Sequence, residues 1–130
     1  MLRNFISGGA FLGGLAVAIG AFGAHGLQRL TDDTEIIHSF QTGAQYQMYH
    51  SLALLAVGIL YEKFPNRWLK SAGYCFLTGI ALFSGSLYLL TLLNIQGSEA
   101  VKFVGPITPI GGLFFIAGWL CLLAGIRSKQ

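Results

Sequence analysis

Four long apolar stretches divide the chain, and short polar segments separate them. The stretches without Asp, Glu, Lys or Arg are Phe5–Gly26, Thr42–Tyr61, Ser71–Ser98 and Phe103–Ile126. Each reaches the roughly 20 residues that cross a bilayer core as a helix, and helices satisfy every backbone polar group in lipid. The pattern therefore predicts an all-α, integral membrane four-helix bundle. We expect a single domain over residues 1–130, with spans at about 5–27, 42–61, 71–95 and 104–126.

Small residues follow two faces of the first predicted helix. The first face carries Gly9, Gly13, Ala16, Gly20 and Gly23. The second face, almost opposite, carries Gly14, Ala18, Ala21 and His25. Small residues let helix backbones approach closely in lipid, so two such faces predict a homo-oligomer formed through this helix. The alternative is that glycine is simply frequent in membrane helices. Helix-packing contacts are also expected at Gly85, Gly111 and Gly118.

Polar residues and prolines predict where two of the helices begin. Asp32, followed three residues later by Glu35, resembles a capping box, so a helix is expected to begin outside the membrane near Asp33 and continue into the second span. In the fourth span, Thr108 is predicted as the N-cap and Pro109 as the first helical residue. Residues 104–107 would then be irregular backbone in the outer leaflet.

The composition indicates that lipid replaces water over much of the surface. Only 10% of the residues are charged and 54% are hydrophobic, whereas soluble domains carry about 25% charged residues. The net charge of +3 is modest, and no basic run is interleaved with aromatic residues. Nucleic acid is therefore not expected as a partner.

The distribution of Lys and Arg predicts the orientation. Six of the eight lie at the termini and in the second connection, whereas the first and third connections contain only Arg29 and Lys102. Because these residues accumulate on the cytoplasmic side, both termini are expected in the cytoplasm. The first apolar stretch is longer than the about 7–15 residues of a signal-peptide core, so we expect it to be retained as a span.

Polar side chains gather in the outer half of the predicted bundle. At about 100° per residue, Gln47 and His50 share the small-residue face of the second helix and point towards protein. His50 lies about 12 Å along that span. Polar groups inside a bilayer are costly and usually face the protein interior, which makes them candidates for function. The candidate pocket comprises His25, Gln47, His50, Ser84, Thr108 and Pro109.

Each of these polar residues also has a purely structural explanation. His25 could anchor or cap the first helix at the interface, and His50 could form a plain interhelical hydrogen bond. Ser84 could bond the carbonyl four residues back in its own helix. Cys75 and Cys121, near the inner face, are expected to remain reduced and to act as small apolar residues.

Four segments resemble the signature blocks of a known family: GAFGAHGL, QTGAQYQMYHSLALL, LFSGSLYLL and GPITPIGGLFFIAGW. The resemblance is to the small four-helix bacterial inner-membrane family called domain of unknown function 423, which has a eukaryotic transmembrane relative. It covers nearly the whole chain in order, apart from the third connection, NIQGSEAVKF. It implies a multi-pass protein of the bacterial plasma membrane and implies no reaction. The matching motif residues are His25, Gln47, His50, Ser84, Ser86, Thr108 and Pro109.

Three functions fit these features. The first is a non-enzymatic bundle whose outer-leaflet polar pocket binds a lipid headgroup, a small ligand or a partner helix. The second is a small-solute or proton transporter or channel using His25, Gln47 and His50, although the spans contain no charged residue. The third is a haem- or metal-binding redox protein, for which two histidines are a small ligand set. We expect no catalytic residues, metal or cofactor, and the lipid bilayer as the main partner.

Overall fold

The computed structural model describes the backbone of residues 2–128 and the side chains of residues 4–128, and this part of the chain is helical without any strand. Six α-helices follow one another: α1 (Leu2–His25), α2 (Thr34–Lys63), α3 (Arg67–Gly79), α4 (Gly85–Gln96), α5 (Val101–Val104) and α6 (Ile107–Arg127). A 3-10 turn (Leu27–Arg29) follows α1, and a π-helical segment (Ile80–Ser84) joins α3 to α4. The side chains of Arg3 and Lys129, which contribute to the predicted orientation, lie outside the described part.

Three helical stretches of the described chain are long and apolar enough to cross a membrane: Asn4–Arg29, Arg67–Gln96 and Val101–Arg127. The all-α class is therefore confirmed for the described residues, and three of the four predicted spans lie in helices that are long and apolar enough to cross a membrane. α2 has 30 residues and is long enough. Its N-terminal part, however, carries three glutamines and His50, which lower its mean hydropathy below that of the other three stretches.

α2 is the central helix of the bundle. α1 packs along it on one side, while α3, the π-helical segment and α4 pack against other sides. α6 packs against α3 and the π-helical segment. The apolar core lies among these helices, where Phe5, Leu54, Val57, Leu69 and Phe76 are almost completely buried.

The first small-residue face of α1 forms the seam with α2. A Cβ atom at Gly9 would lie 2.9 Å from the carbonyl oxygen of Ser51, and one at Gly23 would lie 2.9 Å from the ring of Phe40. The same face includes Gly13, Ala16 and Gly20. The opposite face is exposed, and a Cβ at Gly14 would meet no described neighbour within 4 Å. A single chain therefore provides a neighbour for one face of α1 and leaves the other open.

Two glycines bring α6 against the third span. A Cβ at Gly118 would lie 2.6 Å from the ring of Phe76, and Gly111 contacts the backbone of the π-helical segment so closely that no Cβ would fit. The packing contact expected at Gly85 is not formed, because no described neighbour lies within 4 Å of a Cβ there. The π-helical turn is wider than an α-helical turn. It therefore rotates α4 away from the face extrapolated along α3.

Polar side chains cap α2 and α3. Asp33 is the N-cap of α2, and its Oδ1 accepts a hydrogen bond from the backbone N–H of Glu35 at 2.9 Å. The predicted cap, Asp32, lies one residue too early, because Asp33 is the residue whose extended backbone directs its side chain at the first turn. Asn66 caps α3 and donates to the carbonyl oxygen of Gly125 on α6 at 3.2 Å. Asn66 thereby joins the start of the third span to the end of the fourth.

The start of α6 corrects a further prediction. The helix begins at Ile107, directly after Pro106, so Thr108 and Pro109 lie inside its first turn rather than at its cap. The segment expected to be irregular, residues 104–107, is only half so, since Val104 ends α5, Ile107 begins α6 and two turn residues separate them. Pro106 takes the starting position because a proline there lacks only an N–H that would have no partner within the helix.

Candidate functional site: a histidine-centred groove

His50 is a buried polar residue with both ring nitrogens hydrogen-bonded, and only 4% of its surface is exposed. Its Nδ1 lies 2.7 Å from the carbonyl oxygen of Tyr46, one turn earlier in α2. The indole Nε1–H of Trp119 on α6 donates to its Nε2 at 3.1 Å. A carbonyl oxygen only accepts and an indole N–H only donates. The two partners therefore require a neutral imidazole with its hydrogen on Nδ1.

Aromatic rings surround this histidine. The imidazole stacks on Phe115 with ring centroids 3.6 Å apart and an interplanar angle of 8°. Trp119 meets it edge-on at 5.8 Å, and the ring of Phe76 lies at 5.6 Å. Tyr46 extends the cluster by stacking on Phe83 of the π-helical segment at 4.9 Å. The close approach of α6 to the third span brings these rings together.

A groove of about 460 Å³ opens beside the histidine, between α2, the π-helical segment and α6. We call it the His50 groove. Its lining comprises Tyr46, His50, Phe83, Pro109, Gly112, Leu113, Phe115, Ile116 and Trp119. Leu113 and Ile116 are exposed on the apolar outside of α6, so the groove opens towards lipid. Most of its wall is apolar, and His50 and Trp119 provide its inner polar groups.

Gln47 serves a different contact from His50, although both lie on one face of α2. Its Nε2 donates to the carbonyl oxygen of Leu12 on α1 at 2.8 Å, and its Oε1 accepts from the hydroxyl of Tyr88 on α4 at 2.7 Å. Ser84 donates across helices to the carbonyl oxygen of Gly43 at 2.6 Å rather than to its own helix. These bonds hold α1, α2 and the third span together.

The structure divides the remaining predicted site residues among separate places. The hydroxyls of Thr108 and Ser86 lie 2.5 Å apart, which joins α6 to α4. Pro109 lines the His50 groove, whereas Thr108 does not. His25 is exposed at the end of α1, which packs mainly on α2, and within the described chain its side chain has no hydrogen bond to another pocket residue. Of the six predicted pocket residues, the groove therefore brings together His50 and Pro109.

The aromatic members of the site are not among the residues predicted from the sequence. Phe115 and Trp119 are four residues apart on α6 and therefore share a face. Gly111 and Gly118 mark the closely packed side of the same helix. Combining these two patterns would have placed the rings near the third span. Nothing in the sequence indicated which of the many apolar rings would meet His50.

Possible metal ligands are sparse in the described part of the chain. No group of three or more His, Cys, Asp or Glu side chains is arranged there to hold a metal ion. Cys75 and Cys121 are both free thiols, on the packed helices α3 and α6. The polar chemistry at the centre of the bundle therefore consists of neutral hydrogen-bonding groups.

Comparison with known proteins identifies the family. The family model described as "Protein of unknown function (DUF423)" matches residues 19–112. This chain belongs to that family. A UPF0382 membrane protein of Schizosaccharomyces pombe is 41% identical, with 88% of this chain and 93% of the relative covered. The UPF0382 membrane protein YwdK of Bacillus subtilis is 41% identical over 94% of each chain. One from Haemophilus influenzae is 38% identical over 100% of this chain and 99% of the relative.

No solved structure matches this chain. The DUF423 match includes α2 and the π-helical segment but ends at Gly112, before Phe115 and Trp119. The UPF0382 relatives align over nearly the whole chain. Membership in a family named as membrane proteins, together with several span-capable helices, makes this a multi-pass protein of a lipid bilayer.

Proposed function

We propose that this DUF423 protein is a four-span bundle that binds a neutral amphipathic molecule from the bilayer in the His50 groove. The observation that carries the proposal is one buried, neutral histidine in the wall of a mostly apolar groove that opens towards lipid. Small-molecule sites are typically about 300–1,000 Å³, mostly apolar, with a few placed polar groups. At about 460 Å³, the groove has the size and the lining of such a site.

The hydrogen bonds of α2 support its assignment as the second of the four spans. The side chains that make it less apolar include Gln47 and His50, and both are buried and paired inside the protein. A polar group that is already hydrogen-bonded avoids most of the cost of entering lipid. With all four spans in place, the excess of Lys and Arg favours cytoplasmic termini in the plasma membrane. The His50 groove then faces the outer leaflet.

The packing around the groove favours binding over conduction. Phe76, Leu54 and Leu69 are completely buried on the inner side of His50, and together with Val57 and Leu122 they belong to one apolar core. A ligand can reach the histidine sideways from lipid, whereas a polar solute moving inwards would have to cross that core. We therefore favour binding of a ligand from the bilayer over the transporter alternative.

The open face of α1 supports a homo-oligomer as part of this proposal. Gly14, Ala18, Ala21 and His25 are exposed on that face. Close approach of two such faces would bring small residues together, the arrangement that drives helix association in membranes. The second copy would contact α1, none of whose residues line the His50 groove, and would leave the groove accessible.

Photo-crosslinking tests the proposed ligand site. Membranes containing the protein would be irradiated with a long-chain alcohol carrying a diazirine next to its hydroxyl group, and labelled residues would be mapped by mass spectrometry. We expect labels at Leu113, Ile116 and Trp119 that excess unlabelled alcohol suppresses. Gly112→Leu, which places a side chain in the groove, should remove them. Gly85→Leu, at a position with open space, should keep them. Equal labelling of all lipid-facing helices, insensitive to competition, would contradict the proposal.

A further inference from the structure

The hydrogen bond from His50 to its own helix determines what its other nitrogen can accept. The Tyr46 carbonyl oxygen, 2.7 Å away, has no hydrogen to donate, so Nδ1 must carry the hydrogen. A neutral imidazole has one N–H, and Nε2 is therefore left with a lone pair alone. Because Tyr46 and His50 are one turn apart in α2, a ligand in the groove leaves this arrangement in place.

Trp119 occupies that lone pair from the groove side. Its indole N–H is a donor without acceptor capacity, and it lies 3.1 Å from Nε2. Trp119 is 47% exposed, so one side of the indole faces the groove and the lipid rather than packed protein. When the indole moves aside, His50 needs a donor and Trp119 needs an acceptor. A bound molecule that supplies both restores every hydrogen bond.

We infer that the His50 groove selects a membrane-soluble molecule with a hydroxyl group, which inserts between His50 and Trp119. The hydroxyl donates its hydrogen to Nε2, and its oxygen accepts from the indole N–H. A ketone, an ester or an ether only accepts and would leave Nε2 unpaired in an apolar surrounding. This inference rests on the proposed function and names the ligand class of the same site.

The aromatic wall indicates a flat ring next to that hydroxyl. Tyr46, Phe83 and Phe115 present ring faces and edges to the groove, and aromatic pairs are favourable beyond simple area burial. An aliphatic tail would leave past Leu113 and Ile116, which are exposed to lipid. The expected occupant is therefore a neutral phenol with an apolar tail.

A matched pair of ligands tests this selection without altering the site. The protein, carrying Trp68→Phe so that Trp119 is its only tryptophan, would be placed in lipid nanodiscs. It would be titrated with a long-chain alkylphenol and with the corresponding alkylanisole, in which a methyl group replaces the hydroxyl hydrogen. Trp119 fluorescence reports binding, and the ¹⁵N resonance of His50 Nε2 reports the hydrogen bond. We expect the phenol to bind about 10-fold more tightly or better and to shift the Nε2 resonance, unlike the anisole.

The possible outcomes separate the two proposals. Equal affinity of phenol and anisole, with both abolished by Gly112→Leu, would overturn hydroxyl selection and retain the groove as a ligand site. Absence of binding by either would overturn the proposed function and this inference together. An Nε2 that carries a hydrogen in the ligand-free protein would overturn the inference at its origin. His50→Leu should remove the preference for phenol, whereas His38→Leu, on the exposed outer part of α2, should leave it unchanged.

Discussion

Gln47 and His50 are buried polar side chains, and each has a hydrogen-bond partner on another helix. Gln47 accepts from Tyr88 and donates to a carbonyl oxygen of α1, while His50 accepts from Trp119. In the apolar part of the bundle, a partner that loses its hydrogen bond finds no water to replace it. At the scale of single residues, the loss of stability on substitution therefore depends more on the partner group left without a hydrogen bond than on the side chain removed.

Replacing Gln47 with Leu should destabilise the protein by about 1–3 kcal/mol, because the hydroxyl of the half-buried Tyr88 would lose its acceptor. The double variant Gln47→Leu/Tyr88→Phe should recover part of that loss, since it removes the orphaned group as well. Gln45→Leu is the control, because Gln45 is exposed and bonds only the exposed Tyr49. Unfolding in detergent micelles would measure the three free energies of unfolding. Equal effects of Gln47→Leu and Gln45→Leu would contradict this account.

The third span and α6 show how one element shapes another. The π-helical segment Ile80–Ser84 lies where Gly111 of α6 approaches its backbone. The same segment supplies Phe83 to the groove and directs Ser84 towards Gly43 of α2. The π-helical segment therefore lies at the place where a glycine of the facing helix makes close contact, and it also forms part of the groove wall.

Gly111→Ala should destabilise the bundle by about 1–3 kcal/mol, although alanine is the better helix former. The added methyl group would overlap backbone atoms of Leu82 and Phe83, which cannot rotate away as a side chain could. Gly85→Ala should be neutral or stabilising by up to about 1 kcal/mol, since its Cβ meets open space and only the helix propensity changes. Melting temperatures of the two variants would provide the comparison. Equal shifts in the same direction would exclude a special contact at Gly111.

For the molecule as a whole, the charges predict an orientation. In a variant without Cys75 and Cys121, a cysteine at Asp32 should react in intact cells with a membrane-impermeant thiol reagent. A cysteine at Lys63 should react only after the membrane is opened. Both positions are exposed, and neither is a cap. The reverse labelling pattern would place the termini outside and the His50 groove in the inner leaflet.

The open face of α1 predicts self-association. Gly14→Leu should be compatible with folding, because its Cβ has no described neighbour within 4 Å, and it should reduce cross-linking between copies by obstructing close approach of two α1 helices. Gly112→Leu, on α6, should leave the cross-linked fraction unchanged. Cross-linking in native membranes would measure both. A parent protein that remains monomeric there would rule out this interface.

Periodicity predicted much of the helical framework but not the register of the third span. The face assigned to Gln47 and His50 is buried, as predicted. The prediction holds there because α2 is one uninterrupted helix that turns by about 100° per residue. The same arithmetic failed at Gly85, because a π-helical turn between Gly79 and Gly85 changed the rotation. Nothing in an uninterrupted apolar run marks where such a turn will form. It depends on contact with another helix.

The sequence by itself determined the helices, their membrane character and the buried face of α2, because hydropathy, helical periodicity and capping act over a few neighbouring residues. Only the tertiary structure decided which polar groups meet. Gln47 and His50 are three residues apart on one face, yet one bonds α1 and α4 and the other bonds α6. Trp119, 69 positions from His50, reaches it because glycines let α6 approach the third span. Such long-range pairings follow from how whole helices pack, and no local pattern encodes them.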